Sequence, residues 1–167
     1  MNINDILLAQ NIKRWTIVST IQKQSLAEHL FNVAMIARDI CVEADMDDTN
    51  VVKYALDHDL DEIMTGDIPS PAKARLDIKD DYNGKSKARC APTELLIVKA
   101  ADLIDAYLFI KHNHHDRHGK QVFRYMEKKL ESFMSDIREV EPWLGNAIDN
   151  TMAMLEFGQF DVEQRDE

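Results

Sequence analysis

Four residues of metal-ligating type stand in three apolar-patterned stretches of this chain: His29, the adjacent pair His58-Asp59, and Asp102. Adjacent residues on a helix point about 100° apart, so a His and a carboxylate side by side can approach one ion from neighbouring directions. His29 falls on the apolar side of its own segment. Asp102 falls in the middle of the most hydrophobic one, where an ionised carboxylate is costly unless paired or bound to a metal. Two His and two Asp form a mixed nitrogen and oxygen set. Such a set suits zinc, cobalt, manganese or iron and leaves positions open for water. Each residue also has a plainer reading. His29 can be a satisfied core histidine, Asp102 can pair with a lysine or a helix end, and a His-Asp dipeptide arises by chance. Taken together the four favour the metal. Asp105, one turn after Asp102, is the next candidate ligand.

The neighbours extend this chemistry. Glu62 follows His58 by four residues, which predicts one shared helix face; it is either a group that orients a reacting water or moves its proton, or a solvated helix acid. Asp67 follows Gly66 and reads as a turn acid or as a second acidic group at the reaction centre. Three cations could meet an anion. Lys73 falls in the first turn of a helix opened by Ser70-Pro71, where its ammonium and free backbone N–H groups act together. Lys99 lies three residues before Asp102, and Arg14 offers a two-pronged guanidinium. Each alone reads as a surface charge. His112, His114, His115 and His118 fall in a polar stretch expected to be a loop, with adventitious metal binding or none.

The elements that must position these residues are helical. A short first helix is predicted from about Asn4 to Asn11. The second starts at the capping box Ser25-Leu26-Ala27-Glu28, after which His29, Val33, Ile36 and Ile40 share a face. A third is predicted over about Thr49 to Met64, stopped by Gly66, and Ser70-Pro71 restarts the chain. Asp80 to Ala91 is polar and is expected to be a surface loop. Pro92 opens an apolar helix to about Lys111. Val122, Met126, Leu130, Phe133 and Ile137 mark another, and Pro142 opens the last, to about Phe157. No stretch reads as a strand. The expectation is an all-α, compact single-domain bundle of about six to seven helices over residues 1–160, with an acidic tail at 161–167.

Composition agrees. With 167 residues, 45% hydrophobic and 30% charged, the chain is globular in kind and long enough for one domain. Five glycines and four prolines leave few breaks, which favours long helices. A net charge of −10 argues against gripping a nucleic-acid backbone and requires a local cationic patch for any small anionic ligand. Cys41 and Cys90 form no CxxC pair and read as reduced thiols of a cytoplasmic protein. The polar start is no signal peptide, and no apolar run is long enough to span a membrane. The Met- and Phe-rich C-terminal helices (Met126, Phe133, Met134, Met152, Met154, Phe157) carry more apolar surface than a small core absorbs, which points to a homo-oligomer.

The order His, then His-Asp, then Asp on successive helices resembles the HD-domain phosphohydrolase superfamily. Arg14-Trp15, Ser25-Leu26-Ala27-Glu28-His29, the run from His58-Asp59 to Pro69, and Lys99-Ala100-Ala101-Asp102 resemble its 5'-deoxynucleotidase branch. The short stretch between His58-Asp59 and Asp102 is more similar to the compact phage dATP triphosphohydrolases of that superfamily. The resemblance implies one divalent ion (Zn, Co, Mn or Mg) on His29, His58, Asp59 and Asp102, and is compatible with a second entering with the substrate phosphates. It implies Glu62 acting on the water, and Arg14, Lys73 and Lys99 holding phosphate. It also implies Trp15 as a wall that leaves no room for a 2'-hydroxyl, and Ile17 as an apolar contact for adenine; otherwise both are core residues at the end of a loop. The implied reaction is dATP plus water to deoxyadenosine plus triphosphate, in the host cytoplasm if the chain is phage-encoded. The alternatives are a 5'-deoxynucleotidase releasing phosphate from deoxynucleoside monophosphates, and a non-catalytic nucleotide or metal sensor.

Overall fold

The structure is a computed structural model that describes residues 6–69, 72, 75 and 84–157. The expected helix start at Ser70-Pro71, Lys73, residues 80–83 of the expected loop and the tail at 161–167 lie outside the described residues.

Ser25 and Glu28 start the central helix, α1 (Leu26–Glu43), through both arms of the capping box. The Ser25 hydroxyl accepts from the Glu28 N–H at 3.2 Å, and the Glu28 carboxylate accepts from the Ser25 N–H at 2.6 Å. Two of the helix's orphan N-terminal donors are thereby satisfied. From there α1 buries Val33, Ala34, Ala37 and Ile40. They pack into one core with Ile97, Ala100, Ala101 and Ile104 of α5 (Pro92–Asn113). Alanines in both helices let their backbones come close, and the branched residues fill the remaining space.

The helix expected over Thr49 to Met64 is two pieces. α2 (Thr49–Asp57) ends before the His-Asp pair, and the single turn α3 (Glu62–Thr65) follows a tight turn. Across the break, Leu60, Glu62, Ile63 and Met64 each bond the carbonyl three residues back. Asp57, Asp59, Asp61 and Glu62 crowd this stretch, and carboxylates are unfavourable at a helix C-terminus and good at the next N-terminus. Gly66 stops α3 at φ 73°, a conformation that favours glycine.

Residues 84–87 form the single turn α4 (Gly84–Lys87), where a loop was expected. α6 (Arg117–Val140) and α7 (Pro142–Phe157) complete the bundle. α5 runs through His112 to Asn113 and α6 begins at Arg117, so the loop expected over the histidine stretch is confined to residues 114–116, with His112 and His118 on the flanking helices. The expected first helix is a 3-10 turn, Leu7–Asn11. Five helices of nine residues or more are present among the described residues, slightly below the expected six to seven. Strand pairing there is confined to the isolated bridges Lys13–Ser25 and Thr20–His114. Of the apolar residues expected to exceed the core, Met126 and Met134 are buried and Phe133 and Met152 pack against them, while Met154 stays exposed. No helix among the described residues is long and apolar enough to cross a membrane.

Candidate active site

Four segments converge. The loop over residues 12–25 is closed by the Leu26 N–H to the Ile12 carbonyl and the Arg14 N–H to the Gln24 carbonyl, both at 2.9 Å. It carries Arg14, Trp15 and Ile17. α1 brings His29, the end of α2 brings His58 and Asp59, and α5 brings Lys99, Asp102 and Asp105.

One nitrogen of each histidine is committed to a fixed partner. His29 Nδ1 donates to Asp105 Oδ2 at 2.6 Å, and His58 Nδ1 donates to the Ala55 carbonyl at 2.7 Å. Their Nε2 atoms are thus the acceptors. His29 Nε2 is fully buried, has no hydrogen-bond partner among the described residues, and faces Asp102 Oδ1 at 3.6 Å and Asp59 Oδ2 at 3.7 Å. His58 Nε2 faces the same Asp59 oxygen at 3.5 Å. These spacings are too long for good hydrogen bonds. They match ligands about 3.4 Å apart around one tetrahedral ion with bonds near 2.1 Å. Ligand atoms of His29, His58 and Asp102 all lie within 4.8 Å of one another, so the donor set fits a divalent ion. Asp105, the reserve ligand in the sequence, instead holds the far nitrogen of His29.

The charges are balanced around this centre. Burial alone would raise the Asp59 carboxyl. The contact with His29 and the charges of His58 and Arg14 outweigh it and hold Asp59 well below the usual carboxylate range. Burial likewise works against Asp102, and Lys99 followed by the two histidines brings it down to about 2. Burial and Arg14 push His29 down, but its hydrogen bond to Asp105 and the contact with Asp59 leave it above its ordinary value. Glu62 is 2% exposed and lies 3.7 Å from Arg14 Nη1. It is a buried acid at the centre, not a solvated one. The break between α2 and α3 removes the single helix face expected for His58 and Glu62, yet the turn still delivers both.

A cavity of about 440 Å³ opens over these groups and is bounded by Arg14, Trp15, Ile17, Asp67, Lys99 and Asp102 among others. Trp15 holds φ 61°, a rare conformation for a bulky residue that costs roughly 1–3 kcal/mol. Its ring stacks on Phe109 at 5.7 Å and its indole N–H donates to Gln24 Oε1 at 3.3 Å. Ile17 is 62% exposed at the cavity edge, which overturns its reading as a core residue. Lys99 lines the cavity and also pairs with Asp102 Oδ2 at 2.7 Å.

The opposite wall went unrecognised in the sequence. His118, Val122, Tyr125, Met126 and Lys129 of α6 all face the cavity. Their helical spacing signalled only an amphipathic face. Burial and the charge of Lys99 lower the Lys129 ammonium, and Asp102 partly offsets them. Two other histidines of that stretch serve the fold: His114 Nδ1 donates to the Ile110 carbonyl at 2.9 Å and its ring stacks on Phe123, while His115 meets the Ser19 hydroxyl at 3.3 Å.

Residues 5–84 match the family described as 5'-deoxynucleotidase YfbR-like. Over 149 residues the chain is 34% identical to a dATP triphosphohydrolase of Cyanophage S-2L, covering 81% of this chain and 85% of that protein. The chain belongs to the YfbR-like HD-domain phosphohydrolases. The HD phosphohydrolase is also 29% identical to a 5'-deoxynucleotidase of Pasteurella multocida, over 74% of this chain and 78% of that one. Its fold superposes on a Cyanophage S-2L HD phosphohydrolase bound to dA and one catalytic zinc ion. That match has a TM-score of 0.79 and 25% identity, and covers 93% of this chain and 96% of the other. An HD phosphohydrolase from these helices is thus an enzyme of the hydrolase class.

Proposed function

We propose that this HD phosphohydrolase hydrolyses dATP to deoxyadenosine and triphosphate, using one divalent ion on His29, His58, Asp59 and Asp102. The observation that carries the reading is the meeting of the His29, His58 and Asp102 ligand atoms under a cavity that also exposes Arg14, Lys99 and Lys129. In a chain of net charge −10, three cations against one cavity suit a polyanion. The likeness to the cyanophage dATP triphosphohydrolase supports the triphosphate over the monophosphate.

A divalent ion held there would supply an acidified water and neutralise charge at the phosphate. The remaining work falls to side chains. Glu62, buried beside Arg14, orients the water and takes its proton. Asp67, at the cavity edge, is a second acid within the same electrostatic field. Arg14, Lys99 and Lys129 compensate charge that develops on the phosphate oxygens; Lys73 is the further cation of this set. Trp15 closes the sugar side and Ile17 offers an apolar edge to adenine.

A 5'-deoxynucleotidase reading keeps the same metal residues and is supported by the family description and the Pasteurella multocida relative. A non-catalytic sensor is disfavoured, because a binding domain has no need of an acid as buried as Glu62. The likeness to a phage enzyme supports action in a host cytoplasm, on a small molecule and not on nucleic acid. A homo-oligomer over residues 1–160 completes the reading, and light scattering that returned a 19.2 kDa particle would count against it. The deciding assay incubates the protein with each dNTP and dNMP plus Zn, Co, Mn or Mg and identifies the products. Triphosphate and deoxyadenosine from dATP are expected. Phosphate from dAMP alone would select the nucleotidase, and no product with any pair would end the enzymatic reading for these substrates.

A further inference from the structure

Trp15 and His29 belong to different parts of the site, one on the cavity wall and one at the metal centre. Two buried side chains join them. Gln24 is 4% exposed. Its Oε1 accepts from the Trp15 indole N–H at 3.3 Å, and its Nε2 donates to Asp105 Oδ2 at 2.8 Å. The same Asp105 oxygen accepts from His29 Nδ1 at 2.6 Å, and its partner Oδ1 accepts from Asn32 at 2.9 Å.

The chemistry of the two ends dictates the residue between them. An indole N–H can only donate, and an ionised carboxylate can only accept. A bridge between them must accept at one end and donate at the other, and a carboxamide of glutamine length does both. A glutamate would set its charge against Asp105. An apolar residue would take the acceptor from the Trp15 N–H and leave Asp105 Oδ2 with His29 alone. The orientation of the Gln24 amide is therefore fixed by its partners. The outer hydrogen bond to a ligating histidine sets the ring's direction and basicity, and here that bond is shared with Gln24.

We propose that Gln24 is a positioning residue that couples the Trp15 wall to His29 through Asp105, so that the wall and the metal centre hold their geometry together. The inference rests on the metal reading above. The test uses Co²⁺ alone as probe. Its dissociation constant is measured by chelator competition and cobalt absorption on the full chain, in wild type, Gln24→Met, Trp15→Phe and the double variant, with melting curves for each. Trp15→Phe keeps a six-membered ring over Phe109 and removes the N–H together with the five-membered half of the indole; a purely structural wall predicts a lower melting temperature with cobalt affinity unchanged. Gln24→Met is expected to weaken cobalt binding about tenfold, toward the low end of the 10–100-fold typical of outer partners. Trp15→Phe should weaken it about two- to threefold, a fraction of that range because it acts one bond further out. The double variant should be no weaker than Gln24→Met, because the path is already cut. Equal affinities in wild type and Trp15→Phe, or effects that simply multiply, would overturn the coupling; the Trp15→Phe arm decides this even where Gln24→Met does not fold. A wild-type chain that binds no cobalt would overturn the metal reading itself, an outcome distinct from a wild type that binds and variants that match it.

Discussion

Lys99 Nζ lies 2.7 Å from Asp102 Oδ2, while the other oxygen of that carboxylate, Oδ1, faces His29 Nε2 at 3.6 Å. One carboxylate thus divides itself between a cavity-lining ammonium and the proposed metal centre. The arrangement separates the two jobs by oxygen atom, so removing either partner should have a different signature. Asp102→Ala should abolish metal retention, measured by metal analysis after gel filtration. Turnover should fall by more than the roughly 100-fold upper range for loss of an outer partner, with helical content by circular dichroism unchanged. A variant that keeps its metal would move the ligand role elsewhere.

Glu62→Gln tests the water-handling role separately. Loss of a positioned general base typically costs about 10²–10⁴-fold in rate. The variant should bind metal and nucleotide with wild-type affinity by calorimetry and turn over slowly by that range. Metal loss together with activity would show that Glu62 holds the ion or the fold.

How much of this was legible beforehand differs by residue. His29, His58 and Asp102, singled out by type and setting, do converge in the fold, and the capping box at Ser25 and the stop at Gly66 fix two helix ends from local chemistry alone. The break after Asp57 was hidden because no Gly or Pro marks it. Its one sequence mark is the crowd of carboxylates at Asp57, Asp59, Asp61 and Glu62, which suit a helix N-terminus better than a C-terminus. Gln24 was invisible for another reason: a lone glutamine in a polar loop carries no signal until the fold sets it between a donor and an acceptor. The α6 wall was half visible, since spacing tells which residues share a face but not whether that face meets core or cavity.

Lys129 offers a test of phosphate number. Its ammonium lies in a cavity shared with Lys99 and Arg14, and a charged hydrogen bond contributes about 1.5–3 kcal/mol, or roughly 10- to 150-fold. Lys129→Met should lower kcat/KM for dATP by about 10-fold, the low end of that range for a half-exposed group, and should lower it less for dAMP. Equal losses on both substrates would place Lys129 outside polyphosphate recognition.

Trp15 should set sugar preference. A 2'-hydroxyl against its ring would lose water without a new partner, a penalty of about 1–3 kcal/mol, or roughly 5- to 150-fold. Trp15→Ala should raise the ATP to dATP activity ratio by a factor in that range. An unchanged ratio with a lowered melting temperature would reduce the residue to a structural support.

The Ser25–Glu28 box at the start of α1 gives a pH test of stability. The hydrogen bonds from the Ser25 side chain and then its backbone hold the Glu28 carboxyl below its ordinary value of 4.5. A lowered folded-state pKa contributes stability that is present above 4.5 and is lost as pH falls through the folded value. Ser25→Ala should cost about 1 kcal/mol near neutral pH. The gap in melting temperature between wild type and Glu28→Ala should narrow as the solution is acidified below 4.5. A gap that widens on acidification would reverse the assignment.

The wall formed by α6 has an evolutionary consequence. His118, Val122, Tyr125, Met126 and Lys129 shape the space above the centre, yet α6 supplies none of the proposed metal residues. Apart from Lys129, this stripe shapes the cavity from a stretch of chain separate from the proposed metal residues. Substitutions at Val122 or Tyr125 can therefore reshape the space above the centre without touching a proposed metal residue, so a lineage built on this bundle can change diet by single steps without first losing its teeth.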